Sequence, residues 1–274
     1  MLNPKMDIEL LKQAGYRNDQ RTETITETGM SAMPHQFQDQ PWLAMIVAAA
    51  GTGSRMKMDQ RKQFATLGGM VLLAMTLKQL QQDPNVKEII LVSHPNELAR
   101  VQQEILVSGH MTKVTQLVAG GASRRESVEA GLASVNSRAT HIGIHDGARP
   151  LVTSALIQRI FQAAQKADGA IPGLPVTDTL KRVDDKGIIT GTVSRVQLWS
   201  VQTPQIFSAA GIQQAYERLP GEAAPTDDAA VMEAAGFSVQ IVTGCDENIK
   251  ITVQEDLRRA EAILESRRRH HENW

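Results

Sequence analysis

Cysteine is almost missing from this chain: its 274 residues include only Cys245. An intramolecular disulfide framework is therefore excluded, and a reduced, cytoplasmic setting is expected. Cys245 itself reads as a packed thiol. Excess charge is missing too, since 29 Lys and Arg stand against 30 Asp and Glu for a net charge of −1. Nothing in that balance asks for a nucleic-acid partner. No apolar run approaches the roughly 20 residues of a membrane span, and the first residues lack the basic-then-apolar order of a signal segment. No membrane partner is expected. The seven histidines show no HExxH-type spacing, which removes that route to zinc. There is no internal repeat. With 42% hydrophobic residues, the chain can nevertheless bury a substantial core.

What is present gathers around Ala44 to Gln63, AMIVAAAGTGSRMKMDQRKQ. Ala44 to Ala49 is a short apolar run suited to a strand buried on both faces. The small residues Ala49, Ala50, Gly51 and Gly53 then leave main-chain N–H groups free to converge on an anion. Arg55, Lys57, Arg61 and Lys62 follow within a few residues. Free amides beside concentrated positive charge suit a triphosphate. Two named phosphate motifs are excluded by spacing. A single residue separates Gly51 from Gly53 where the Walker loop needs four, and Met56 stands where a dinucleotide fingerprint needs Gly or Ala.

Residues 1–40 differ from the rest, because Arg17 to Gln40 is rich in Thr, Glu, Gln, Asp and Asn and poor in core-forming groups. They read as a mobile N-terminal extension, and Met30, Met33 and Met45 leave open a later start. Residues 41–274 read as a single α/β domain. The pattern predicts helices over Val71–Gln82, Glu97–Val107, Arg125–Val135, Thr153–Ala167, Ser208–Arg218 and Val253–Arg268. Another is capped at Thr226 or Asp227. Strands are predicted over Glu88–Ser93, Val114–Val118, His141–His145, Phe237–Val242 and Asn248–Thr252. Such alternation gives a mostly parallel, twisted, Rossmann-like sheet with helices on both faces. Val176 to Val201 breaks the rhythm, and its charges and Asp184–Gly187 turn signal predict a projecting β-hairpin arm at about 176–197.

Polar clusters follow the predicted strands, where open α/β sheets bind ligands. Gly120, Gly121, Arg124 and Ser127 follow one, and Asp146 and Arg149 follow another. An acidic residue ending a buried strand opposite a phosphate loop is a place to hold Mg²⁺. The basic run Arg267 to His271 reads as a solvated end.

Taken together, AAAGTGSRM with Lys62-Gln63, GGASRRESV, HDGARP, TDTLKR, TVSR, QTPQIF, TDDA and ENIKIT resemble the 2-C-methyl-D-erythritol 4-phosphate cytidylyltransferases, from about Ala44 to Leu264. The resemblance implies a nucleotide-diphospho-sugar transferase type of fold, and transfer of a cytidylyl group from CTP to a polyol phosphate with Mg²⁺ or another divalent cation. It implies Arg55, Lys62, Arg195 and Lys250 as catalytic residues. Ala49, Ala50, Gly51, Gly53, Gly120, Ser127 and Asp146 would bind CTP. Arg149, Thr179, Arg195, Thr203, Thr226 and Lys250 would surround the acceptor, and Asp146 and Glu247 would hold the metal. It also implies a homodimer joined through the arm, with Thr179 and Arg195 reaching the partner's acceptor. One position departs from the family, Arg61 standing where Pro usually precedes the Lys-Gln pair. Ribitol-5-phosphate cytidylyltransferases differ in an Ala-Gly-Gly loop where this chain has Ala49-Ala50-Gly51. Sugar-1-phosphate nucleotidyltransferases lack ENIKIT and TDDA in this arrangement, and a nucleotide-binding regulator of the same fold would not need Arg55 and Lys62.

Overall fold

The structure, a computed structural model, describes residues 41–51, 62–219 and 226–272, and the side chains within these except at positions 62 and 270–272. The chain divides into two units, Met1–Gln40 and Pro41–Trp274, and the second holds every element described below. The extension read over 1–40, with Gly53, Arg55 and Arg61, lies outside the described residues.

Strand β1 (Leu43–Ala49) is the centre of the sheet, running parallel to β4 (Val86–Ser93) on one side and to β6 (His141–Asp146) on the other. Its side chains alternate between two cores, as a period of two requires. Leu43, Met45 and Val47 face Leu73, Leu77 and Leu80 of α1 (Leu72–Gln82) and Ile157, Ile160 and Phe161 of α4 (Ser154–Ala164). Ala44 and Ile46 face Val128 and Leu132 of α3 (Arg124–Leu132), together with Ile212 of α5 (Ala209–Arg218) and Met232 of α6 (Asp228–Ala234). A strand covered on both faces has no room for polar side chains, which is why this run is apolar throughout.

Beyond β4 lies β5 (Val114–Ala119), also parallel, reached through a 3₁₀ turn at Pro95–Glu97, the short α2 (Leu98–Val101) and a π-helical turn over Gln102–Val107. The helix expected over Glu97–Val107 is thus present from Leu98, α-helical for four residues and π-helical for the next six. Between β1 and α1, a small hairpin pairs β2 (Thr66–Leu67) with β3 (Met70–Val71).

Besides that small hairpin, three further strands add to the expected set. β7 (Gly169–Pro175) and β11 (Gln205–Ser208) extend the sheet from β6, with β11 antiparallel between β6 and β7. β10 (Trp199–Val201) borders β7, which also pairs with β12 (Val239–Thr243). β7 is hard to see in sequence because two Gly and two Pro interrupt it. The small residue at Gly169 has a packing reason, since a Cβ there would lie 2.3 Å from Phe207 Cδ1.

The strand expected over Asn248–Thr252 is absent, and those residues form a loop. Their backbone groups are taken elsewhere: Arg149 Nη1 donates to Asn248 O (2.7 Å), Ile251 N donates to Ala148 O (2.8 Å), and Thr252 N donates to Asp256 Oδ2 (2.7 Å). The last bond opens α7 (Gln254–Glu272), which carries the helix through the basic run.

The hairpin is present, with β8 (Leu180–Val183) antiparallel to β9 (Ile189–Val193) in a sheet of its own. Asp184 Oδ1 accepts from Lys186 N and Ile188 N, and Gly187 takes φ +79°, a conformation glycine adopts without strain.

Close packing of α3 on the sheet yields a test. A Cβ at Gly131 would lie 2.6 Å from Ile46 Cγ2 and 3.2 Å from Val92 Cγ2. Gly131→Ala is expected to destabilise by about 1–3 kcal/mol through overpacking; an unchanged urea midpoint would show that the helix can back away freely.

Candidate active site

A cleft of about 490 Å³ opens at the carboxyl ends of the parallel strands, a size suited to a small ligand. β1 contributes Ala48 to Gly51, β4 leads to His94, β5 to Gly121 through Arg124, and β6 to Asp146 through Ala148. The chain runs from β1 outward to β4 and β5, then returns to β6 on the other side, so the cleft lies at a switch point. Gly120 sets the width of the wall: a Cβ there would sit 2.4 Å from Ala50 Cβ and 2.8 Å from Ser127 Oγ. Helix α3 begins beside it with Ser123 as its N-cap, Ser123 Oγ accepting from Glu126 N while Glu126 Oε2 accepts from Ala122 N, the residue before the cap. Ser127, also in the wall, donates its hydroxyl to Ser123 O (2.9 Å).

Among the described residues of the wall, Asp146 is the one carboxylate. Lys250 Nζ lies 2.8 Å from its Oδ2, and Arg149 Nε lies 3.4 Å from the same oxygen. Burial alone would raise its pKa; Lys250, Arg149 and Arg124 together outweigh that and lower it to about 2. Asp146 therefore carries full negative charge at neutral pH. Among the described residues no group of three or more His, Cys, Asp and Glu gathers as a ready-made metal cage. One carboxylate still suits Mg²⁺, which commonly takes one or two carboxylates and completes its shell with phosphate oxygens and water.

Beneath the wall is a buried network. Thr203 Oγ1 accepts from Asp146 N (3.0 Å) and lies 3.0 Å from His145 Nδ1, while His145 Nε2 lies 3.2 Å from Arg149 O. A carbonyl only accepts, so Nε2 carries the proton and Nδ1 accepts from the Thr203 hydroxyl. Burial lowers the His145 pKa to about 4 against the pull of Asp146, keeping the ring neutral. Asn248 Nδ2 donates to Thr203 O (2.8 Å), joining the loop that carries Lys250. A second network holds Arg124, whose two Nη groups donate to fully buried Asp228 at 2.9 and 2.6 Å. Tyr216 OH donates to Asp228 Oδ1 (2.7 Å), and Gln205 Oε1 accepts from Asp228 N (3.1 Å).

Of the expected site residues, Ala49, Ala50, Gly51, Ser127, Asp146 and Lys250 line the cleft, with Gly120 packed behind it. Arg149 and Thr203 are buried against Asp146. Thr226 is exposed just before Asp227, the N-cap of α6. Thr179 and Arg195 are exposed on the arm, outside the cleft lining, and Arg195 Nη1 donates to Thr177 O. Glu247 is also outside the lining, and its Oε2 accepts from Arg267 Nε (2.8 Å). Lys62 opens a 3₁₀ turn, Lys62–Phe64, its side chain lying outside the described set, and Gln63 enters the wall.

Residues 43–266 match the family IspD: 2-C-methyl-D-erythritol 4-phosphate cytidylyltransferase. The chain belongs to that family. The enzyme of that name from Syntrophus aciditrophicus is 40% identical over 225 residues, 82% of this chain and 96% of the relative. Its counterpart from Desulforamulus reducens is 41% identical over 227 residues, covering 82% and 97%. The crystal structure of the cytidylyltransferase from Thermus thermophilus superposes with a TM-score of 0.67 at 31% identity, over 81% of this chain and 98% of that one. That of the 4-diphosphocytidyl-2C-methyl-D-erythritol synthase from Anaerococcus prevotii gives 0.70 at 30%, over 82% and 96%.

In this IspD-family chain the motif residues His145, Asn248 and Asp228 acquire buried roles that sequence reasoning missed. Their sequence signal is membership of HDGARP, ENIKIT and TDDA, beside Asp146, Lys250 and Thr226.

The ionic setting of Asp146 is testable by pH. A depressed folded pKa means that its contribution, about 2 kcal/mol for a fall from 3.8 to about 2, is full above pH 4 and fades as pH drops toward 2. The stability gap between wild type and Asp146→Asn, from denaturant titrations, should shrink over that window. A gap that stays constant would show that the charge is not what stabilises.

Proposed function

We infer that this cleft is where a cytidylyl group passes from CTP to 2-C-methyl-D-erythritol 4-phosphate, giving 4-diphosphocytidyl-2-C-methyl-D-erythritol and pyrophosphate in non-mevalonate isoprenoid synthesis. The observation that carries the reading is Asp146 between Lys250 and Arg149, lining a cleft directly beside the small-residue end of β1.

In the reaction an acceptor phosphate oxygen attacks the α-phosphorus of CTP in line, and the bond to the pyrophosphate oxygen breaks. Two anions must approach, so electrostatic stabilisation is the main requirement. Arg55 and Lys62 match the family's two loop positions and would carry the charge that develops at the α-phosphorus. Ala49, Ala50 and Gly120 leave room for the cytidine, and Gly51 and Gly53 for the phosphates. Ser127 has spent its proton on Ser123 O, so toward the cleft its oxygen offers lone pairs, which suit the amino group of cytosine. Lys250 and Arg149 would attract the acceptor phosphate, with Thr203 fixing the backbone of Asp146 and Thr226 at the rim. Asp146 would hold Mg²⁺, which when bound neutralises phosphate charge. Pyrophosphate release from CTP and Mg²⁺ tests the acceptor directly. Turnover is expected with 2-C-methyl-D-erythritol 4-phosphate, and turnover with ribitol 5-phosphate alone would reassign it.

The homodimer rests on the arm. Val183, Ile188, Ile189 and Val196 are 54–75% exposed there, and an isolated two-stranded hairpin is marginal in water. Pairing with a second copy would cover these side chains and deliver Thr179 and Arg195 to the neighbour's acceptor. Mixed dimers test the shared site. Lys62→Ala and Arg195→Ala, each weakly active, are unfolded together and refolded. With Arg195 acting across the interface, a mixed dimer holds one site with both defects and one with neither, so activity returns. Verified heterodimers that stay inactive would place Arg195 in its own subunit's site.

A further inference from the structure

The basic run at the end of α7 contains a contact that a solvated end would not make. Arg267 Nε donates to Glu247 Oε2 (2.8 Å), and its Nη2 donates to Leu151 O (3.1 Å). The two acceptors belong to different loops. Leu151 follows Asp146 to Pro150 at the end of β6, and Glu247 lies three residues before Lys250. A planar guanidinium can bridge two such acceptors in fixed directions, which an ammonium does less well. The Arg267 side chain is 25% exposed and that of Glu247 46%, so the ion pair alone is partly screened by water, and the second bond to Leu151 O is what fixes the guanidinium.

The same two loops meet again at the cleft. Ile251 N donates to Ala148 O, Arg149 Nη1 donates to Asn248 O, and Lys250 Nζ reaches Asp146 Oδ2. Below them, Ile251, Leu257, Ala260 and Leu264 pack with Ala148 and Leu151 in one apolar cluster. Arg267 thus ties the loops together at the end away from Lys250, and Glu247 is turned to it and away from the cleft.

We propose that Arg267 is a positioning residue of the reaction, acting through Glu247 to hold the Lys250 loop at Asp146, and that Glu247 serves this tie in place of a metal ion. The proposal rests on the reading of Lys250 as a residue of the site. The guanidinium fixes the loop before ligands arrive, so Lys250 need not be ordered during the reaction.

The test compares Glu247→Gln, Arg267→Met and the double variant with wild type. Each single change is expected to lower kcat/KM about three- to tenfold, and the double to be no lower than Arg267→Met, because loss of the guanidinium already removes the contact that Glu247→Gln weakens. Hydrogen exchange at Ile251 N–H should quicken in all three. The Mg²⁺ concentration needed for CTP binding, read by calorimetry without turnover, should not move. A raised Mg²⁺ requirement in Glu247→Gln but not in Arg267→Met would make Glu247 a metal residue and overturn the proposal. So would multiplying defects in the double variant, or unchanged Ile251 exchange. Lys250→Ala separates the layers: normal turnover there removes the reading of Lys250, whereas slow turnover beside unaffected Glu247 and Arg267 variants removes the tie alone.

Discussion

The charge on Asp146 is the constraint around which the other loops are arranged. A carboxylate at the end of a doubly covered strand is costly to bury unless cations and donors surround it. Here Lys250 and Arg149 supply the cations, and the Thr203 hydroxyl fixes the peptide that bears the carboxylate. Arg149 is local, three residues further on, whereas Lys250 and Thr203 are distant in the chain, so satisfying one buried charge draws two distant segments to the end of β6.

His145 shows how far that constraint reaches. It lies fully buried near the end of β6, held neutral by burial, and links the Thr203 hydroxyl to the Arg149 carbonyl. A charged imidazole in this place would add repulsion beside Arg149 and Lys250. On the far side of the cleft, Asp228 does for Arg124 what the cations do for Asp146, with Tyr216 sharing the carboxylate. Both walls thus present charged groups whose orientation is set by buried partners, the preorganisation that charge-stabilising chemistry needs.

The sheet supplies the rigid edge. β1 is apolar on both faces and flanked by parallel neighbours, and its end releases small residues at the switch point. The antiparallel β11, wedged between β6 and β7, brings Thr203 and Gln205 to the carboxylate and to the start of α6. A purely parallel arrangement would not have delivered those two side chains to the same edge.

Much of this was legible in the sequence. Hydrophobic period and caps marked β1, α1 and α4, because apolar spacing and capping chemistry are local properties. The order of the motifs pointed to the family, and strand-end placement pointed to Asp146, Arg149 and the Gly120 turn. Other features depended on contacts across the chain. β7 is masked by its own Gly and Pro residues, and Gly169 makes sense only against Phe207. The segment over 248–252 has strand-like residues, yet its backbone bonds to Arg149, Ala148 and Asp256. Glu247 reads as a candidate metal carboxylate beside Asn248, whereas its pairing with Arg267 spans 20 residues and a helix. Residue type and spacing determine which groups can bear charge or turn the chain. Which partner each buried charge meets was decided only when the sheet and its crossovers brought distant loops to one edge.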